Sequence, residues 1–73
     1  MKIIKNWLFI NHLWRDAEPS PLALNINNIV GINETYHNTL GTHVIIHTTD
    51  GKTHPVEGDI ITILSKLEKH LTN

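Results

Sequence analysis

Six of the 73 residues are histidines, the side chain here with the widest chemistry. An imidazole ligates metals, relays protons and changes charge near neutral pH. His47 and His54 flank Asp50-Gly51 symmetrically. If that dipeptide makes a two-residue type I′ turn, the two histidines face each other across a hairpin with Cβ atoms ~5 Å apart. Two imidazoles so placed, joined by a nearby Asp or Glu, make a plausible Zn²⁺ or Ni²⁺ site. His43 lies four residues from His47, ~13 Å along a strand, and cannot share the ion. The plainer reading is the one we expect: His47 and His54 as half-exposed imidazoles on an uncovered sheet face. Each then disfavours protonation of the other, and acid loosens the hairpin.

Catalytic chemistry has fewer footholds. Ser20 lies between prolines and Ser65 in a helical pattern, neither at the strand-to-helix elbow that exposes a nucleophile. Gly31, Gly41, Gly51 and Gly58 are scattered and form no phosphate loop. The paired carboxylates Asp16/Glu18 and Glu57/Asp59 fall in loop or cap positions. An enzyme needs such groups converging on a pocket, so neither a catalytic residue nor a cofactor is expected. Trp7, Phe9, Leu13 and Trp14 say more. They are more apolar mass than a chain this short readily hides, and tryptophan typically anchors interfaces. They are read as an interface with a second copy or another protein, with simple core packing as the alternative. Trp7, Phe9, Trp14 and Tyr36 could also stack on bases. But six Lys and Arg without a cluster pull weakly on a phosphate backbone, so nucleic acid is not the expected partner.

Length and composition bound these readings. Residues 1–73 are expected to form one domain. A chain this short buries only about 60% of its unfolded surface, so its stability is thin. With no cysteine, neither a disulfide nor a thiolate zinc site adds to it. Oligomerisation is the remaining common aid, and a homodimer is expected. The absence of cysteine fits a reducing cytoplasm, and the net charge of −1 argues against a strongly basic surface. No apolar run approaches the ~20 residues of a membrane-spanning helix. The opening MKIIKNWLFINHLW has a signal-like look, but it lacks a small-residue cleavage site and is broken by Asn6, Asn11 and His12.

The elements that must position these residues follow from pattern. His43–Thr49 is rich in β-branched residues and leads into Asp-Gly. Residues 43–49 and 52–57 are therefore read as a hairpin, its second strand an edge or one that ends at Pro55. Asp59 is the natural N-cap. Ile60, Ile63, Leu64, Leu67 and Leu71 form one apolar stripe of a helix over 60–71. Residues 3–13 fit a strand or a helix, with strand preferred for their β-branched and aromatic density. Arg15–Pro21 is a loop, 22–24 a short strand, 25–29 a single helical turn and 30–35 a strand. The sum is an α+β fold: a small antiparallel β-meander of four to five strands packed by one C-terminal α-helix.

From Ile26 onward the pattern resembles two groupings. One is the flagellar FlbD-type small proteins and many short bacterial and phage proteins of similar layout. The residues that carry this resemblance are Asn25, Ile29, Val30, Ile32, Val44, Thr49, Asp50, Gly51, Lys52, Val56 and Asp59 to Leu67. The other is the first half of the LytTR DNA-binding domain, whose second, basic half has no counterpart here. The first resemblance implies a bacterial or phage β-meander-plus-helix protein with no catalytic residues to carry over. The expected function is therefore protein–protein binding, as an adaptor or inhibitor in the cytoplasm. A minimal LytTR-like DNA-binding regulator comes second, and a histidine-based metal-binding protein at His47 and His54 third.

Overall fold

The computed structural model describes residues 1–72; Asn73, part of the expected domain, lies outside the described residues. Six strands are present: β1 (Lys2–Ile4), β2 (Trp7–His12), β3 (Ser20–Asn25), β4 (Ile29–His37), β5 (Gly41–Thr48) and β6 (Thr53–Val56). A one-turn 3₁₀ helix, Ile26–Asn28, links β3 to β4, and helix α1 (Ile60–Thr72) follows β6. All pairings are antiparallel, and the class is α+β as expected.

The segment read as one strand over 3–13 is two. Lys5 and Asn6 form a tight turn with Lys5 at φ 54, a left-handed conformation no breaker residue announced. β2 then pairs with β1 on one edge and β3 on the other. Beyond β1, that first edge also receives β6, giving the order β1-β2-β6-β5-β4 with β3 on the far side of β2. The sheet is thus two three-stranded meanders, β1–β3 and β4–β6, joined where His12 meets Val56.

Pro55 explains how short that joint is. β6 is an interior strand, not the edge its proline suggested. The Pro55 carbonyl accepts from Leu13 N–H (2.8 Å), while Glu57 N–H donates to the Asn11 carbonyl (3.1 Å). In an antiparallel ladder the nitrogen and carbonyl of one residue point to the same neighbour. The donor that proline lacks therefore falls on the last rung against β2, where pairing stops.

The β5–β6 turn also departs from expectation. A type I′ turn requires positive φ at both Asp50 and Gly51; only Gly51 has it, at 81°. Gly51 N–H donates to the Thr48 carbonyl (3.0 Å) and Thr48 N–H to the Lys52 carbonyl (3.1 Å). This is a three-residue loop: a type I turn followed by a left-handed glycine. The Asp50 carboxylate holds it, accepting from the Thr48 hydroxyl (2.6 Å) and Lys52 N–H (3.1 Å), an Asx-type geometry. One extra loop residue shifts the register by one. Ile46 faces His54 and His47 faces Thr53.

Alternation then sorts the side chains. Leu8, Ile10, Leu24, Val44, Ile46 and Val56 point inward and form the core with Ile26, Ile63 and Leu67. The Asp59 carboxylate caps α1, accepting from the Thr62 N–H (3.1 Å) and hydroxyl (3.0 Å). Of the expected stripe, Ile63 and Leu67 are buried and Ile60 half-buried, but Leu64 and Leu71 are 45% and 72% exposed. The helix therefore meets the core along the Ile60–Ile63–Leu67 line. Ile63→Ala should therefore cost ~2–5 kcal/mol in urea unfolding. Leu64→Ala should cost well under half as much, and equal costs would contradict this placement.

Candidate functional site

The register shift separates the proposed metal pair. Offset by one residue, His47 and His54 lie on opposite faces of the hairpin, so one ion cannot take both imidazoles. His47 Nε2 instead bonds the Asn33 side-chain oxygen on the outer face. His54 Nε2 bonds the Thr48 hydroxyl (3.2 Å) on the inner face. Among the described residues no three His, Asp or Glu side chains gather as metal ligands.

The histidine that His54 approaches is His12. Their rings meet edge to face with centroids 6.3 Å apart. His12 continues the inward side of β2 after Leu8 and Ile10, and the Trp14 ring lies over it at 4.1 Å. Trp14 is fixed in turn by its indole N–H donating to the Ser20 hydroxyl (2.8 Å). His12 Nδ1 is buried without a hydrogen-bond partner among the described residues. Burial holds the His12 pKa below the ordinary imidazole value, a nearby Leu13 backbone contact opposes this, and His54 adds to the lowering. The parity Leu8–Ile10–His12 was legible in the sequence; the pairing that brought β6 alongside was not.

The four residues read as an interface divide between two surfaces. On β1–β3, Lys2, Ile4, Trp7, Phe9, Asn11, Pro21, Ala23 and Asn25 share the face opposite the core. Ile4, Trp7 and Phe9 are 50%, 46% and 36% exposed there. Leu13 and Trp14 belong to the β2–β3 loop, which overhangs the outer side of β4–β6. Between loop and sheet lies a cleft of about 700 Å³. Leu13, Leu40, Ile45 and Pro55, all half-buried, supply its apolar lining. The exposed Trp14 and Tyr36 stand at its mouth beside Arg15 and Asp16. Tyr36, Leu40 and Ile45 went unremarked as cleft residues because nothing local in the sequence places loop 13–19 against β4 and β5. These apolar groups share the lining with polar and charged ones, among them His12, His37 and the buried His43, a mixture that suits a peptide or protein side chain.

Compared with known proteins, the chain matches no family model, no curated protein and no solved structure. Among the described residues, no helix is long and apolar enough to cross a membrane.

The lowered His12 pKa fixes the sign of a pH effect. Just below the ordinary imidazole value the unfolded chain holds more protons than the folded one, so stability is complete above about pH 6.5 and declines as pH falls through that range. The urea midpoint should be lower at pH 5.5 than at 7.5, and His12→Phe should flatten that difference. Asp50 acts in a separate window. Its pKa is lowered by the Thr48 hydroxyl and Lys52 N–H, so its contribution is lost only at more acid pH, below the ordinary carboxylate value. An unchanged slope in the His12 variant would remove His12 from this account.

Proposed function

We propose that this chain is a small non-catalytic adaptor or inhibitor of bacterial or phage type. It acts in the cytoplasm by binding another protein, and does so as a homodimer. The observation that carries the reading is the cleft under the β2–β3 loop, with half-buried aliphatic side chains inside and two exposed aromatics at its mouth. Trp14 is held in place by its stack on His12 and its bond to Ser20. A pre-positioned aromatic gives up little conformational freedom on binding, which is what makes tryptophan and tyrosine effective anchors. The absence of cysteine supports the reducing compartment, and the resemblance to FlbD-type proteins supports the bacterial or phage setting.

The test uses the whole chain as immobilised bait in extract of its own host. Tyr36→Ala changes a side chain that is 68% exposed at the cleft mouth and should leave the fold intact. It should weaken the retained partner at least ~10-fold, and Trp14→Ala more, as interface anchors do. Unchanged retention in both variants would defeat the reading. Tight binding of duplex DNA at physiological salt would favour the LytTR-like alternative instead.

A further inference from the structure

The second exposed surface has no part in that cleft. We propose that the outer face of β1–β3 receives a second copy of this chain, sheet against sheet about a two-fold axis. The proposal gives a surface to the homodimer of the preceding reading and stands or falls separately from the cleft.

Three observations select this occupant. The first is shape. A two-fold interface uses one patch twice, so the patch must hold both projections and recesses. Trp7 projects at 46% exposure. Next to Phe9 is a dent of about 200 Å³, rimmed by Met1, Lys2, Asn11 and Pro21. The second is charge. The strand residues of this face include no carboxylate and a single cation, Lys2, whose stem runs beside Phe9 and can leave its ammonium at the rim. Lys5 sits in the turn at one end of β2. Glu57 reaches the other end, where its carboxylate accepts from the Asn11 side-chain amide (2.6 Å). An axis crossing β2 places Lys5 of each copy over the partner's Glu57. The third is area. β2 and β3 run six residues each and β1 three, so the face covers roughly 240 Å² in projection. With side-chain relief that is on the order of 450 Å² per copy, or ~900 Å² in all, the size of a weak, reversible contact and just above a fortuitous one.

Sedimentation equilibrium should show a reversible dimer of twice 8.3 kDa in the micromolar range. Carbodiimide should link Lys5 to Glu57 in the dimer band. These residues lie a whole strand apart within one copy, ~20 Å, so the link must run between copies. The double variant Trp7→Thr/Phe9→Thr should raise the dimer dissociation constant at least ~100-fold with unchanged far-UV circular dichroism. Should that variant fail to fold, Trp14→Phe leaves Trp7 as sole reporter, and its quenching by acrylamide should rise several-fold on dilution through the dissociation constant. Four results would overturn the proposal: a monomer up to ~1 mM; a dimer with no dilution-dependent quenching of Trp7; a dimer dissolved by Leu64→Ser on the helix but not by the Trp7/Phe9 pair; or a monomer whose Trp7 emission responds to oligothymidylate, which would give the face to single-stranded nucleic acid. A monomer that still loses its partner through Tyr36→Ala would sink this inference alone.

Discussion

The conformation of one residue, Gly51, decides which side of the β5–β6 hairpin meets the core. With the left-handed glycine third in the loop and Asp50 tied to Thr48 and Lys52, the register places Val44 opposite Val56 and Ile46 opposite His54. A loop one residue shorter would send the whole return strand to the other face, because strand side chains alternate strictly. Val56, fully buried in the core, would then face water. The hydrogen bonds to a single carboxylate thus hold in place the apolar surface on which the helix rests, and with it every histidine environment on β5 and β6.

That arrangement gives the histidines distinct duties. His47 is a half-buried group of the outer face bonded to Asn33, and its ring lies beside Gly31. His43 is buried and bonds the Gly41 carbonyl through Nδ1 (2.8 Å) at the start of its own strand. His12 and His54 meet at the inner seam between the two meanders. A count of imidazoles suggests metal chemistry. Their placement gives a bond to Asn33 on the outer face, a buried bond at the start of β5 and an edge-to-face pair at the seam.

Much of the fold was legible from local pattern. The Asp59 cap, the helix it starts, the single turn at Ile26 and the β5–β6 hairpin all rest on interactions within a few residues, and sequence spacing reports those well. What stayed hidden depends on partners distant in the chain. Lys5 offers no glycine or proline to mark the break between β1 and β2. Pro55 reads as an edge signal, and only the short overlap with β2 shows how an interior strand tolerates it. Asp50-Gly51 suits both a two- and a three-residue loop, and the choice between them rests on Thr48 and Lys52 as much as on the dipeptide itself. Trp7, Phe9, Leu13 and Trp14 stand out by type, but their division between a sheet face and a loop cleft depends on how β2 sits against β3 and β6.

The contact between β2 and β6 has a consequence for how the molecule comes apart. The two meanders share a seam of hardly more than one rung, so backbone bonding alone would let them part like leaves on a hinge at Ile26–Asn28. What crosses the seam is side-chain packing: Leu8 and Ile10 from one leaf, Val44, Ile46 and Val56 from the other, with Ile63 and Leu67 of the helix set across both. Parting the leaves exposes almost all of that packing at once, and neither leaf keeps enough to persist alone. A sheet that looks divisible on its hydrogen bonds therefore behaves as one cooperative unit, with its slowest-exchanging amides on both sides of the seam.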